Sequence, residues 1–144
     1  MGNVPEYFYM QSAVIPCRWQ DGHLDILMIT SRKKKRWVIP KGVREPELSA
    51  ADSAAQEALE EAGIEGTVFP APVGEYRYEK WGGTCTVQVF VMTVETVLPV
   101  WQESYREREW VSLEEAHRRV TEGGLKKILT ALPGQLEEMG GRQG

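Results

Sequence analysis

Three carboxylates in this chain stand close enough to act together: Glu57, Glu60 and Glu61. On a helix, residues three and four apart are neighbours, so Glu57 would face both of the others. Like charges at that spacing cost an isolated helix about 0.2–0.5 kcal/mol per pair. A hard divalent cation turns the cost into a binding site, because Mg²⁺ takes oxygen ligands and keeps several of its waters. A solvated acidic helix face is the other reading of the same spacing. The second chemical grouping is cationic. Arg32, Lys33, Lys34, Lys35 and Arg36 form a run; Lys41 and Arg44 follow it, and Arg77, Lys80, Arg106 and Arg108 lie further along. Such a run on an acidic protein suits a highly phosphorylated small molecule, while for any single lysine a solvated loop is the plainer reading. Tyr76, Tyr78 and Trp81 are candidates for stacking on a base or for sheet packing.

The elements that must position these groups follow from patterning. Ser12–Trp19 and Leu24–Thr30 are β-rich runs joined through the turn signal Asp21-Gly22, which predicts a hairpin. Trp37-Val38-Ile39 is a short strand stopped by Pro40, and residues 42–48 read as a loop. Ser49 with Asp52 resembles a capping box, and Gly63 suits a helix C-terminus. Between them Ala51, Ala55, Ala58 and Ala62 make a stripe of small residues that lets a helix approach a sheet closely, with the glutamates on the opposite side. Short strands are expected at Thr67-Val68-Phe69, Val73–Arg77 and Glu109-Trp110-Val111, and a long one over Thr84–Val97. Ser112 starts a helix with Glu115 as its capping-box partner. Gly123-Gly124 breaks it, a last helix begins over Leu125–Leu132, and residues 140–144 read as a frayed tail. Strands interspersed with helices predict an α/β fold, a sandwich around a mixed sheet.

The 144 residues predict one domain, 1–144, since a second would leave each half with too small a core. At 42% hydrophobic and 26% charged the composition is that of a globular protein. With 17 Lys and Arg against 21 Asp and Glu, a net charge of -4 argues against a nucleic-acid polymer as partner. Charged residues interrupt every apolar run, so no membrane span is expected. The N-terminus lacks a signal-peptide pattern, and Met1-Gly2 is followed by Glu6 where myristoylation wants Ser or Thr. Cys17 and Cys85 lack metal or redox spacing and read as buried thiols of a reducing compartment, the cytoplasm. His23 and His117 show no ligand spacing. The expected assembly is a monomer or homodimer.

Gly42 to Ile64 as a whole resembles the box of the Nudix hydrolases: Gly, five residues, Glu, seven residues, Arg-Glu, apolar, any, Glu-Glu, any, Gly, apolar. Gly42, Glu57, Ala58, Glu60, Glu61, Gly63 and Ile64 are in register. Leu48 stands where the pattern has its first Glu, with Glu47 one residue early, and Gln56 replaces the Arg. In the family those two residues brace the loop and orient the metal-binding carboxylates. The resemblance implies the Nudix fold, an α/β/α sandwich around a mixed β-sheet. It further implies a Mg²⁺- or Mn²⁺-dependent pyrophosphohydrolase in which Glu57 and Glu61 hold the metal, helped by a backbone carbonyl at Lys41 or Gly42. Glu60 is then the metal-linked or base residue that activates water, with Glu57 as the other catalytic candidate, since which glutamate is the base varies within the family. Arg36-Trp37-Val38-Ile39-Pro40-Lys41-Gly42, Glu45-Pro46 and Arg106-Glu107-Arg108-Glu109-Trp110 look like the diphosphoinositol-polyphosphate phosphohydrolase branch, which also cleaves dinucleoside polyphosphates. That branch places a phosphate-binding Arg at the position of Arg106. Arg32, Lys33, Lys34, Lys35, Arg36, Lys41 and Arg44 complete the expected substrate contacts. A Nudix-fold ligand-binding or regulatory module with little turnover is the alternative that Leu48 and Gln56 motivate.

Overall fold

Alternation of apolar side chains along the central strands gives the sheet two hydrophobic faces, and each face is covered by helix. The computed structural model describes residues 4–139; the tail at 140–144 and the Met1-Gly2 pattern lie outside them. Eight strands make one mixed sheet: β1 (Met10–Gln20), β2 (His23–Thr30), β3 (Trp37–Val38), β4 (Lys41–Val43), β5 (Ile64–Val68), β6 (Gly74–Lys80), β7 (Gly83–Val97) and β8 (Arg108–Ser112). β1 lies at its centre, parallel to β7 and antiparallel to β2 and β4. β7 also pairs with β5 and β6, and β2 with β3 and β8, all antiparallel. The β1–β2 hairpin closes at Asp21-Gly22, both in left-handed backbone, as the turn signal requires.

On one face Ala13, Ile15, Val87, Val89 and Val91 pack against α2 (Leu113–Arg119) and α3 (Gly123–Glu138) through Ala116, Leu125, Leu129 and Leu132. On the other, Val14, Leu27, Ile29, Phe90 and Met92 meet Ala54, Ala58 and Ala62 of α1. α1 runs over Ala50–Glu57 and continues into a wider, π-type turn over Ala58–Ala62. The result is an α/β sandwich with a mixed sheet, and the alanines let α1 lie flat on it. Among the described residues no helix is long and apolar enough to cross a membrane.

Several elements depart from the sequence expectation. β4 takes residues expected in a loop, because their backbone pairs with β1 from Gln11 to Ala13. The strand expected at Thr67–Phe69 starts earlier, at Ile64, directly after the helix. α3 begins at Gly123 and runs through Pro133 without a break. Burial of Leu129, Leu132 and Leu136 along one stripe outweighs the hydrogen bond that the proline cannot donate. At Ser112 only half of the capping box forms. Its hydroxyl accepts from the Glu115 N–H at 3.0 Å, while the Glu115 carboxylate turns instead to Arg118 and Arg119.

Candidate functional site

The Ser49 hydroxyl starts α1 by accepting from the Asp52 N–H at 3.0 Å, and Ser53 ties the preceding loop to the helix by accepting from the Glu45 N–H at 3.0 Å. These two serines hold the loop where the family pattern has its first glutamate. The helix then delivers Glu57 and Glu61 onto β4. The Glu57 carboxyl group lies so tightly over Gly42 that a Cβ there would overlap it, so the missing side chain is what lets the acid approach the strand. Glu61 accepts from the Lys41 N–H at 3.1 Å.

The two carboxyl groups lie close enough to shift each other's affinity for a proton. Burial, followed by the charge of Glu61, pushes Glu57 up to about 8 from its ordinary 4.5. Burial raises Glu61 as well, opposed by the Lys41 N–H and by Arg106. Two neighbouring acids in a half-buried site are a donor set that a divalent cation would suit, since it neutralises both and takes oxygen ligands. Among the described residues no three His, Cys, Asp or Glu side chains close on a common point, so Glu57 and Glu61 would be the side-chain ligands. Glu60 stands apart from them, its carboxylate accepting from Gln56 Nε2 at 2.5 Å.

The raised acid has a thermodynamic consequence. A folded-state value above the unfolded one means that unfolding releases a proton, so the contribution is fully present below pH 4.5 and lost as the pH rises through about 8. Without added metal, the melting temperature is expected to fall between pH 5 and 8.5 relative to Glu57→Gln. Parallel curves for the two proteins in EDTA would refute the raised proton affinity of Glu57.

Arg106 is buried beside the pair at 7% exposure. It donates to the Thr30 carbonyl at 2.9 Å, forms an ion pair with Glu103 at 2.9 Å and lies 3.9 Å from Glu61. Arg106 and Glu61 line one end of a cleft of about 270 Å³, whose walls also carry Arg32, Arg36, Lys41, Lys80 and Tyr76. Lys41 is held from below: its Nζ donates to Tyr78 Oη at 2.9 Å and to Gln11 Oε1 at 3.3 Å, and burial lowers its affinity for a proton. Arg36 reaches Thr121 and Glu122 across the cleft.

The remaining expected contacts lie elsewhere. Lys33, Lys34 and Lys35 are exposed and outside the cleft lining, at the tip of a tight turn where Lys34 is left-handed and the Ser31 hydroxyl accepts from the Lys35 and Arg36 N–H groups. Arg44 is half-buried and also outside the lining. Arg77 pairs with Glu75 on the surface. Arg108 turns away to the end of α1, donating to the carbonyls of Ala62 and Leu98 at 2.9 Å each. Of the aromatics, Tyr76 is buried and Tyr78 supports Lys41, whereas Trp81 is exposed and packs against Phe8 and Tyr9. Sequence reading passed over Gln11, Trp101 and Glu103. An isolated Trp in a polar stretch close to a charged cluster was the one available signal, at Trp101.

A sandwich of this kind, with a carboxylate helix set against a cation-lined cleft, matches the NUDIX domain family model over residues 9–132. The chain is 32% identical to diphosphoinositol polyphosphate phosphohydrolase 3-beta of Bos taurus over 115 residues, covering 78% of this chain and 69% of that protein. It is 32% identical to the mitochondrial Nudix hydrolase 13 of Arabidopsis thaliana over 107 residues, 67% of this chain and 53% of the relative. The chain thus spans about half the length of that plant relative. A C. elegans Ap4A hydrolase in a binary complex superposes with a TM-score of 0.71 at 20% identity, covering 90% of this chain and 98% of the other, a likeness of fold. The chain belongs to the Nudix hydrolase family.

Proposed function

We propose that this chain is a metal-dependent pyrophosphohydrolase that cleaves a phosphoanhydride bond in a polyphosphorylated small molecule. A diphosphoinositol polyphosphate or a diadenosine polyphosphate is the favoured substrate. The observation that carries the reading is the half-buried Glu57–Glu61 pair, of which Glu61 lies beside Arg106 and lines, with it, a cleft that also carries Arg32, Arg36, Lys41 and Lys80. The likeness to the bovine diphosphoinositol polyphosphate phosphohydrolase and to the nematode Ap4A hydrolase supports the two substrate classes. The buried free thiols of Cys17 and Cys85 suit a reducing compartment such as the cytoplasm.

Glu57 and Glu61 would hold Mg²⁺ or Mn²⁺, with a backbone carbonyl of Lys41 or Gly42 beside them. A cation bound there supplies charge for the phosphoanhydride oxygens and makes a coordinated water more acidic. Glu60 takes a proton from the attacking water, held in place by Gln56. Arg106 favours the ionised form of Glu61 against the effect of burial, and the cleft cations orient the phosphates, which is most of what phosphoryl transfer asks of a protein. The tight Gln56–Glu60 hydrogen bond also favours a second reading, a binding module with little turnover, because it occupies the proposed base.

Phosphate release from a panel of nucleotides, dinucleoside polyphosphates and diphosphoinositol polyphosphates, with Mg²⁺ or Mn²⁺, tests both. Turnover confined to long phosphate chains supports the enzyme. Tight binding without release supports the module, and neither binding nor release overturns the site. Within the enzyme reading, Lys33, Lys34 and Lys35 together are expected to contribute only as exposed charges, about 0.2–1 kcal/mol each at most and screened by salt. Arg32 and Arg36 are exposed as well, but they line the cleft, where a bound substrate would desolvate them. The Arg32→Gln, Arg36→Gln double variant then removes contacts worth about 1.5–3 kcal/mol each. KM should therefore rise more in that double variant than in the Lys33, Lys34, Lys35 triple Gln variant. The reverse order would place the phosphates on the turn.

A further inference from the structure

The end of the carboxylate helix is tied down by a segment that the catalytic reading leaves unused. Four consecutive carbonyls, those of Glu60, Glu61, Ala62 and Gly63, accept in turn from the Glu103 N–H at 3.0 Å, Trp101 Nε1 at 2.9 Å, Arg108 Nη1 at 2.9 Å and the Leu98 N–H at 2.8 Å. All four donors belong to the stretch 98–108, which joins β7 to the first residue of β8. A helix end leaves its last carbonyls without partners inside the helix, and water or a cap ordinarily satisfies them. Here two side chains and two backbone groups do so. The Arg108 guanidinium stacks on the Trp101 ring with its centre 3.8 Å from the ring centroid, so the two side-chain donors brace each other. The Trp101 ring packs against Gly63, at φ +66, closely enough that a Cβ there would overlap it.

The turn secured in this way is the π-type turn over Ala58–Ala62, in which the Gly63 N–H reaches back to both Ala58 and Leu59. A π-type turn is rarer and less regular than the α-helix it interrupts, and such turns occur often at functional sites. Glu60 and Glu61 lie on it, while Glu57 lies on the regular helix before it. How Glu61 faces Glu57 is thus set by a turn whose carbonyls are held from outside the helix.

We propose that the segment 98–108 is a strap that positions the carboxylate pair, with Trp101 and Arg108 as its positioning residues. They act on the acids through the backbone of the π-type turn and touch neither substrate nor cation. The proposal rests on Glu57 and Glu61 being the divalent-cation site.

The test is calorimetric titration of the full chain with Mn²⁺ alone, alongside thermal melts. Trp101→Phe removes one N–H and keeps the aromatic contact; Arg108→Lys removes the forked donor and keeps the charge. Removing a group that orients a metal ligand weakens binding by about tenfold or more, so each variant is expected to raise the Mn²⁺ Kd by about tenfold. In turnover assays kcat should fall at unchanged KM for substrate. Leu129→Ala, on the opposite face of the sheet, is the control for lost stability: it should lower the Tm and leave the Mn²⁺ Kd in place. Should one strap variant fail to fold, the other carries the measurement. Strap variants that lose Tm as the control does but bind Mn²⁺ like wild type overturn the proposal. A wild-type protein that binds no Mn²⁺ overturns the cation site, and the strap's role with it.

Discussion

Glu57→Gln and Glu61→Gln are each expected to lower kcat/KM by about 10²–10³-fold, the scale seen when a preorganised charge is removed from the centre of a reaction. Mn²⁺ binding should disappear in both variants, because each is left with one carboxylate where two were needed to hold a hard cation. The metal-free protein should meanwhile melt at the same temperature as wild type or slightly higher at neutral pH. Glu57 is held protonated against its ordinary preference by burial and by Glu61, so an amide in its place no longer has to keep a proton. Activity lost together with stability in the absence of metal would point to damaged packing. Unchanged Mn²⁺ affinity in both variants would sink the assignment.

The second large effect is expected at Arg106, and it falls on folding. Its guanidinium is buried and committed to Glu103 and the Thr30 carbonyl, with Glu61 close by. Arg106→Met leaves two acids near each other with no cation and costs about 3–5 kcal/mol, the range for breaking a buried ion pair from one side. Arg106→Lys keeps the charge but loses the fork that serves Glu103 and Thr30 together, and should lie in between. Urea denaturation at pH 7 reads both. A loss below about 1 kcal/mol for Arg106→Met would mean that the residue behaves as a surface charge, free to serve substrate.

Much of this arrangement was legible in the residues. The small-residue stripe marks α1 and the side it buries, but the fully buried alanines are Ala54, Ala58 and Ala62, with Ala51 and Ala55 at the margin. Glu57 and Glu61 flank that face against β4, where the spacing had them opposite it. Ser49 and Ser112 mark the two helix starts at which their hydroxyls are found. What local pattern could not supply is anything decided by partners distant in sequence. β4 is a strand only because β1 offers it a free edge. Lys33, Lys34 and Lys35 share the charge of Arg32 and Arg36, and nothing in their types says which members of the run turn inward. That depends on the Ser31 hydroxyl folding the tip of the loop over. Arg108 carries the same charge as Arg106 two residues earlier, yet one meets the acids and the other meets the end of their helix. Arg106 lies in the bend before β8 and Arg108 opens the strand, so the alternation that would put residues two apart on one face does not sort them, and only the fold says which is which.

The parallel pairing of β1 with β7 has a consequence for how the molecule is made. β1 and β2 can form their hairpin as soon as residues 10–30 exist, but the parallel partner that covers the other edge of β1 arrives only with residues 83–97. Contacts between segments so far apart slow folding, because a long loop must close before they contribute. During synthesis the hairpin therefore waits with an unpaired edge and two apolar faces, at the stage when strands are most prone to join the wrong neighbour. α1 can lie early against Val14, Leu27 and Ile29, but the surface it covers is complete only when Phe90 and Met92 are in place. A chain shortened within β7 should accordingly collect as aggregate, even though every proposed metal ligand precedes the cut.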